Sequence, residues 1–186
     1  MFHRTSRLFL RPTFPEDWQA LHAAIADESI VRNLSTAPWP YREEDARRFA
    51  MRGQDARVPG FVVQLPGEGL IGGCGLGIEP DTGEVQLGYW IARRHWGKGY
   101  APEAARGVLQ VAQMLGHRRI VAAHFLDNPA SGRVLEKAGF RRTGELGNTA
   151  CLARGRRVPT RRYAIELSPI GADEDGDPTV QMRAAA

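Results

Sequence analysis

Hydrophobic residues along the chain follow two spacings, one typical of β-strands and one typical of amphipathic helices. Short apolar runs rich in β-branched and aromatic residues predict strands at 8–11, 61–65, 70–78, 84–92 and 119–125. Apolar positions three and four residues apart predict helices at 15–27, 43–54, 100–115 and 128–139. Residues 140–146 and 161–167 are predicted to close the sheet as a terminal strand pair, with a variable loop at 148–159. The pattern predicts one α/β domain over residues 1–167.

Glycine and proline mark the ends of several of these elements. Four of the residues from 72 to 77 are glycine, which predicts a bulged strand with another group packed closely against it. The turn residues of Pro80–Gly83 predict a hairpin. The helix at 128–139 begins with Asn128 and Pro129, a polar cap followed by proline at the first helical position, and is predicted to end at Gly139.

The stretch from Leu87 to Ala101 carries the clearest chemical signal in the sequence. Its first half is apolar enough for a buried strand, and its second half places Gly97 and Gly99 on either side of Lys98 before a helix begins. A strand that enters a helix through a glycine-containing turn directs several backbone N–H groups, and the positive end of the helix dipole, at one point. A Cβ atom at either glycine would hold a phosphate oxygen away from these amides. The stretch therefore predicts a phosphate site.

Two common phosphate-binding motifs do not fit this stretch. The Walker A motif needs four residues between its glycines and a Lys-Ser or Lys-Thr pair after them, whereas one residue separates Gly97 from Gly99. The dinucleotide-binding fingerprint needs a third glycine, and this chain has Pro102 at that position.

The motif that does match is Arg94-x-x-Gly97-x-Gly99, which resembles the acetyl-CoA pyrophosphate loop of the GNAT acetyltransferases. A second segment, Asn128–Phe140, is similar to the family's helix beside the pantetheine arm. The order of predicted elements, β-α-α-β-β-β-α-β-α-β-β, is similar to the whole GNAT fold and covers about residues 5–167. The opening Leu8–Pro12 and the acidic pair after it resemble the branch that includes the ribosomal-protein N-terminal acetyltransferases.

The resemblance implies a GNAT fold, a mixed and mostly antiparallel sheet of six to seven strands flanked by about four helices. It also implies an acetyl-CoA-dependent N-acetyltransferase that moves an acetyl group to a primary amine by direct attack in a ternary complex. The acceptor would be a protein N-terminus or a small amine, acetyl-CoA would be the co-substrate, and no metal is implied. In the family the pantetheine lies along the end of the strand, here Ile91–Arg93, where a backbone N–H near Ala92 polarises the thioester. The implied acetyl-CoA-binding residues are Ile91, Ala92, Arg93, Arg94, His95, Trp96, Gly97, Lys98, Gly99, Tyr100, Ala101, Asn128 and Ser131.

Acetyl transfer also requires a proton for the leaving thiolate and, for a basic amine, a group that accepts a proton. Ser131, in the first turn of the fourth helix, is the candidate acid, and an ordinary helix-start serine is its alternative interpretation. Tyr163 is a second candidate, although a tyrosine in a terminal strand is more often part of the core. Glu84 is the only acid on one face of its strand and is the candidate base, in line with a strand glutamate often used by the family. A glutamate solvated beside the turn is its alternative.

Several other residues have both a structural and a functional interpretation. His95 adjoins the loop and is expected at its rim, and His124 is expected to be a packed histidine within a strand. Trp39 and Tyr41 either form a wall of the acceptor pocket or belong to the core. An arginine-rich segment is expected to be a solvated edge, with docking of an acidic or RNA-coated substrate as the alternative. Its arginines are Arg154, Arg156, Arg157, Arg161 and Arg162.

The 186 residues, 42% of them hydrophobic and 25% charged, are typical of one soluble globular domain. The net charge of +4 is unevenly distributed, because a net charge of −3 from Ser168 onward leaves the body at +7. A positive body suits a polyanionic cofactor or an acidic partner, and an arginine-rich composition explains it equally well. Residues 168–186 are polar, acidic and without periodicity, so a disordered tail is expected.

Cys74 and Cys151 are too few for a disulfide framework or a zinc site, and neither lies near the loop, so a covalent acetyl-enzyme has no support. The sequence shows no membrane-spanning run and no signal peptide, so a cytoplasmic location without membrane contact is expected. A weakly catalytic CoA-binding or sensor module is the alternative function. A nucleic-acid-binding role for the arginines is a third, although no recognised motif supports it. A ribosomal or other protein N-terminus as the acceptor, and a homodimer through the terminal strands, are implied by the resemblance alone.

Overall fold

Residues 1–169 are described by a computed structural model, in which strands and helices alternate along the chain. The strands are β1 (His3–Arg4), β2 (Phe9–Arg11), β3 (Gly60–Leu65), β4 (Gly69–Ile78), β5 (Val85–Ile91), β6 (Arg119–Phe125), β7 (Arg141–Cys151) and β8 (Arg156–Glu166). The helices are α1 (Trp18–Ile25), α2 (Glu28–Val31), α3 (Glu43–Ala50), α4 (Tyr100–Met114) and α5 (Pro129–Ala138). The strands form one sheet in the order β1-β2-β3-β4-β5-β6-β8-β7.

The predicted α/β class and the mostly antiparallel sheet are confirmed, because β5 and β6 are the one parallel pair among the described strands. The described residues contain eight strands and five α-helices, slightly more than the predicted six to seven strands and about four helices. The additions are β1, of two residues, and α2, of four residues. Elements of this length are too short to show a hydrophobic period.

The predicted loop at 148–159 is wrong. Strands β7 and β8 continue through this segment as an antiparallel hairpin, and the 3-10 turn Leu152–Arg154 joins them. Most side chains of β7 are exposed, so its sequence lacks the alternation of apolar and polar residues that marks a half-buried strand.

Both faces of the sheet are covered. On one face, α4 and α5 pack against a core that includes Val63, Ile71 and Leu135. On the other face, α1, α2 and α3 pack against a second core that includes Val62. Consecutive residues of β3 therefore serve opposite cores, as the alternation of side chains along a strand requires.

The glycines of β4 allow the close packing that their sequence predicts. A Cβ atom at Gly73 would lie 2.7 Å from the Trp90 indole nitrogen, and one at Gly75 would lie 2.6 Å from the Gly60 Cα atom. The expected bulge is also present, because the β3–β4 register shifts between Val63 and Gln64. Strand β5 pairs with β4 along its whole length, from Val85 to Ile91. This pairing holds the strand that leads into the predicted phosphate loop.

Within residues 1–169, no helix has both the length and the hydrophobicity needed to cross a bilayer. The predicted disordered tail spans residues 168–186. From residue 170 onward it lies outside the described residues. At the end of the described chain, the Ser168 carbonyl accepts a hydrogen bond of 2.8 Å from the Gln113 side chain.

Arg154 is not the solvated edge residue that its arginine-rich segment suggests, since its side chain is only 10% exposed. Its guanidinium donates to the Asp127 carboxylate at 2.7 Å and to the Arg32 carbonyl, at the end of α2, at 2.8 Å. It also lies over the Phe125 ring, 4.8 Å from the ring centroid. Arg154 thus ties the β7–β8 turn to α2 and to the loop after β6. Elsewhere in the segment, Arg157 pairs with Asp81 on the surface.

Replacing Arg154 by glutamine should lower the free energy of unfolding by about 1.5–3 kcal/mol, because charge-assisted bonds to a carboxylate and a carbonyl are lost. Arg157→Gln on the same hairpin is the matched control, because Arg157 also bonds a carboxylate, Asp81, and a carbonyl, that of Asn148, but at the exposed surface. Its bonds should contribute less than about 1 kcal/mol. Urea denaturation measures both values. Equal losses for the two variants would show that Arg154 does not hold α2.

Candidate active site

The segment between β5 and α4 forms a tight loop whose shape depends on two glycines. Residues Arg93–His95 make one 3-10 turn, and then Gly97 and Gly99 adopt positive φ angles of 76° and 81°. This left-handed backbone explains both glycines, because a Cβ atom disfavours it. Nothing lies within 4 Å of a Cβ atom placed on Gly97, so the space above the loop is open. The loop leads directly into the N-terminus of α4, where unpaired N–H groups and the helix dipole favour an anion.

An ion pair beneath the loop fixes its position. Glu103, in the first turn of α4, accepts hydrogen bonds from the Thr5 hydroxyl at 2.7 Å and from the Arg7 Nε at 2.7 Å. Arg7 also donates to the Lys98 carbonyl at 3.1 Å and lies 4.7 Å from the Tyr100 ring centroid. Burial alone would raise the pKa of Glu103, but the bonds from Thr5 and Arg7 hold it below its usual value.

His95 lies beneath the loop and not at its rim, so this expectation is corrected. The ring is only 2% exposed because it packs edge-on against Tyr100, with the ring centroids 6.2 Å apart. Its Nε2 accepts a hydrogen bond from the Arg94 Nε at 3.0 Å, which leaves the proton of the neutral ring on Nδ1. Among the described residues, Nδ1 has no hydrogen-bond partner. Burial, with smaller contributions from Arg94 and Lys98 against the opposing charge of Glu68, lowers the pKa of His95 and favours this neutral form.

A gap between β5 and β6 begins where their pairing stops. In the part of the chain that the structure describes, the two strands are bridged at Gln86 and Val121 alone. The Ala92 N–H bonds to the Ile71 carbonyl of β4 at 2.8 Å, so the N–H groups of alternate residues point away from β4. By this alternation, the N–H groups of Tyr89 and Ile91 face the gap. The amide of Ala92 itself is occupied, so the amide near Ala92 that faces the gap is that of Ile91.

The N-terminus of α5 forms the opposite side of the gap. The Asn128 side chain accepts the Ser131 N–H at 3.4 Å, Pro129 follows the cap, and Gly139 ends the helix with a φ of 103°. The predicted caps of this helix are therefore confirmed. The Ser131 hydroxyl lies 2.6 Å from the Tyr89 hydroxyl, so the two sides of the gap meet at this point.

These elements enclose a cleft of about 330 Å³. Nine of the thirteen predicted acetyl-CoA-binding residues line it, and the four that do not are Ala92, Arg93, Arg94 and Lys98. The sequence prediction missed the contributions of α2, of Tyr89 and of the two cationic side chains Arg133 and Lys137. Arg133 and Lys137 lie four residues apart, a spacing that places them on one face of α5. This spacing could have been recognised in the sequence. No carboxylate side chain is among the described residues that line the cleft.

Glu84, the candidate base, does not line the cleft. It precedes β5, at the opposite end of the strand from the glycine loop. Its carboxylate accepts hydrogen bonds from Arg162 at 2.8 Å and from Arg119 at 3.4 Å. The structure therefore separates Glu84 from Ser131, the candidate acid, and gives its charge two arginine partners.

Tyr163 and His124 lie together on the far side of α5, outside the cleft. Tyr163 is 1% exposed, and its hydroxyl is 3.4 Å from the His124 Nε2 and 3.4 Å from a Glu136 carboxylate oxygen. His124 is the packed histidine that its strand position predicts. A Cβ atom at Gly132 would lie 2.7 Å from the His124 Nε2, so α5 packs closely over this pair.

Trp39 and Tyr41 do not line the cleft either. Tyr41 is buried in the core shared by α1 and α3, and Trp39 is 40% exposed. The core interpretation therefore holds for Tyr41. Instead of these aromatic residues, α2 and its C-terminal turn form a wall of the cleft, with Ser29, Ile30, Asn33 and Leu34.

Residues 7–141, which carry the glycine loop, the strand gap and the N-termini of α4 and α5, match the family model described as the acetyltransferase (GNAT) domain. The chain belongs to the GNAT acetyltransferase family, and the acetyltransferase domain together with relatives named as N-acetyltransferases supports acyltransferase activity. Its curated relatives include the uncharacterized N-acetyltransferase YnaD of Bacillus subtilis. The two are 30% identical over 142 residues, which cover 75% of this chain and 82% of YnaD.

Solved structures share the fold over nearly their whole length. A GNAT-family acetyltransferase from Bacillus anthracis has a TM-score of 0.75 at 28% identity, covering 89% of this chain and 98% of that one. RimL, a ribosomal L7/L12 alpha-N-protein acetyltransferase in complex with coenzyme A, has a TM-score of 0.72 at 20% identity. That match covers 90% of this chain and 98% of RimL. The suspected ribosomal-protein branch is thus among the structures of this fold.

Replacing Gly97 by alanine should weaken acetyl-CoA binding at least about tenfold, because the new methyl group enters the open space above the loop amides. Gly83→Ala is the matched control, since Gly83 has a φ of 72°, open surroundings and a position in the β4–β5 turn. Both variants should lose roughly 1–2 kcal/mol of stability from the left-handed backbone. Calorimetric titration with acetyl-CoA should show unchanged affinity for Gly83→Ala alone. Equal affinities for both variants would place the phosphates elsewhere.

Glu103→Gln should both destabilise the fold by about 1–3 kcal/mol and weaken acetyl-CoA binding about threefold or more, because the loop loses its anchor. Asp17→Asn is the control, because Asp17 holds Arg11 in a two-point ion pair of 2.7 Å far from the loop. That variant should lose stability without losing affinity.

The destabilising effect of Glu103→Gln should depend on pH and disappear in acid. The pKa of the Glu103 carboxyl is lowered in the folded protein, so its contribution to stability is complete above the unfolded-state pKa and disappears as the pH falls through the folded-state pKa. Melting temperatures between pH 7 and pH 3 should therefore converge for the parent and Glu103→Gln. A constant difference across this range would contradict the assignment.

Proposed function

We propose that this protein is an acetyl-CoA-dependent N-acetyltransferase that moves an acetyl group to a primary amine by direct attack in a ternary complex. The observation that carries the proposal is the gap beside β5, in which the glycine loop, two strand amides and the N-terminus of α5 follow one another along a single cleft. An extended phosphorylated thioester needs anion sites at one end, amide partners along its arm and a proton donor near its sulfur. The cleft supplies all three in that order.

The charge of the cleft supports acetyl-CoA as the co-substrate. Arg133 and Lys137 line it, and no described lining residue is a carboxylate, so a polyanion is favoured. The loop amides around Gly97 and Gly99 would hold the pyrophosphate. The buried Nδ1–H of His95, without a partner in the described residues, adds a donor beneath the same loop.

The residues of this chain would then serve three steps of the transfer. The N–H groups of Tyr89 and Ile91 face the gap. The Tyr89 N–H, on the residue that contacts Ser131, would stabilise negative charge on the thioester oxygen as the amine attacks the carbonyl carbon, and the Ile91 N–H would pair with the arm of the ligand. Ser131 would supply the proton or hydrogen bond that the departing thiolate needs when the carbon–sulfur bond breaks. Direct attack needs no nucleophile from the protein, and both cysteines are buried.

An α-amine is the acceptor that this cleft favours. An α-amine with a pKa of about 8 loses its proton at a pH of about 7.4 at a cost below about 1 kcal/mol, whereas a lysine at about 10.4 costs about 4 kcal/mol. Because no described lining residue is a carboxylate, these residues offer little help with the larger cost. Its positive side chains also disfavour a polycationic amine. A protein N-terminus or a small α-amino compound therefore fits better than lysine or a polyamine.

The alternative function is a CoA-binding or sensor module with weak catalysis. The observation that favours it is the position of Glu84, which is outside the cleft and ion-paired with Arg119 and Arg162. In this alternative, acetyl-CoA binds without rapid turnover on any amine.

Release of CoA from acetyl-CoA should be measured with a panel of amines at pH 7.4. The panel contains peptides with free N-termini, amino acids, N-acetylated peptides with a lysine side chain, and spermidine. Turnover is expected with α-amines and at least about a hundredfold less with lysine side chains, in line with the difference in deprotonation cost. Tight binding of acetyl-CoA with no turnover on any amine would support the sensor instead. No binding of acetyl-CoA would overturn both functions.

A further inference from the structure

One contact joins the two walls of the cleft. The Tyr89 hydroxyl, on β5, lies 2.6 Å from the Ser131 Oγ and 3.0 Å from the Ser131 carbonyl oxygen, on α5. Tyr89 lines the cleft between the glycine loop and the strand bridge at Gln86. Its hydroxyl is therefore placed against the side chain that would meet the leaving sulfur.

The Tyr89 hydroxyl has one proton and two acceptors on the same residue. When it donates to the Ser131 carbonyl, the Ser131 hydroxyl can donate only to the Tyr89 oxygen or turn away from it. When it donates to the Ser131 Oγ, the serine proton is free to point into the cleft. Tyr89 can change between these states by rotating its O–H bond, without moving the ring.

The second state makes Ser131 a better donor. A hydroxyl that accepts a hydrogen bond becomes polarised and donates more strongly to its own acceptor. A thiolate in the cleft would favour this state, because a hydrogen bond to a charged acceptor is about twice as strong as one between neutral groups.

We infer that Tyr89 is a positioning residue that aims the Ser131 hydroxyl at the sulfur of coenzyme A, an inference that rests on the proposed function. As the carbon–sulfur bond breaks, the Ser131 proton passes to sulfur and the Tyr89 proton passes to the Ser131 oxygen. The proton that the acceptor amine loses returns to Tyr89 through solvent. The sulfur gains one proton and the amine loses one, so both side chains end as they began.

A purely structural role for Tyr89 makes a different prediction. If the hydroxyl only fastens α5 to β5, its removal should widen the cleft and weaken every CoA-like ligand equally. Ligands that differ only at the sulfur therefore separate the two roles, and they do so without an acceptor amine.

The experiment compares the binding of CoA and of desulfo-CoA, which lacks the sulfur, by calorimetry at pH 9.5, where a thiol with a pKa of about 8.5 is mostly ionised. The parent protein should bind CoA at least about tenfold more tightly than desulfo-CoA, because one charge-assisted hydrogen bond to the thiolate is worth that factor. The ratio should fall to about threefold or less in Tyr89→Phe and in Ser131→Ala. It should fall no further in the double variant, because Tyr89 acts through Ser131.

Turnover provides the second readout. Tyr89→Phe should lower kcat about tenfold in the parent background, change the KM for acetyl-CoA little, and have no further effect in the Ser131→Ala background. Melting temperatures of all four proteins establish that each is folded.

Three results would overturn the inference that Tyr89 positions Ser131. Equal affinity of the parent for CoA and desulfo-CoA would overturn this inference and leave the proposed function standing. A Tyr89→Phe protein that loses affinity for both ligands by the same factor would show a structural role only. Failure of the parent to bind either ligand would overturn the proposed function, and this inference with it.

Discussion

The separation of β5 from β6 is the constraint on which the site depends. These parallel strands are bridged at Gln86 and Val121 and then diverge, so β5 presents backbone groups that no neighbouring strand satisfies. Unpaired and partly buried backbone groups are costly. The chain satisfies one of them itself, because the Trp96 indole donates to the Ile91 carbonyl at 2.6 Å. The N–H groups that still face the gap form an open edge of the sheet. An extended ligand with amide groups can pair with this edge as an added strand would.

Two ion pairs hold the walls of this gap in place through the same arrangement of groups. In each, one guanidinium bridges a carboxylate and a backbone carbonyl that lies next to residues of the cleft wall. Arg7 links Glu103 to the Lys98 carbonyl beneath the glycine loop, and Arg154 links Asp127 to the Arg32 carbonyl at the end of α2. Walls fixed in advance reduce the ordering that binding would otherwise require. None of the described residues that line the cleft is a carboxylate, so its cationic side chains direct a positive field at a ligand.

Local features of the fold were predictable from the sequence, because their causes lie within a few residues. The positive φ angles of Gly97 and Gly99, the Asn128 cap and the close packing over Gly73 each follow from the residue type and its neighbours. The glycine loop and the start of α5 were located correctly for the same reason. The hairpin at 148–159 was missed because most side chains of β7 are exposed and its sequence therefore lacks an alternating pattern.

The remaining features depend on contacts between residues far apart in the chain. Arg7 and Glu103 are 96 residues apart, and Arg154 and Arg32 are 122 apart, so no local pattern announces either contact. Glu84 is one residue from a well-predicted strand, yet its partners Arg119 and Arg162 come from β6 and β8. His95 is a polar residue in a polar loop, and its burial follows from the packing of Tyr100 across it.

Amide hydrogen exchange, resolved to single residues and compared with and without acetyl-CoA, tests most directly whether the gap beside β5 is the co-substrate site. Acetyl-CoA should slow exchange at Tyr89 and Ile91 and at the loop amides from Trp96 to Ala101. Exchange in the β7–β8 hairpin, beyond the cleft, should stay the same. Bound acetyl-CoA that leaves the Tyr89 and Ile91 amides unprotected would show that the gap beside β5 is not the co-substrate site.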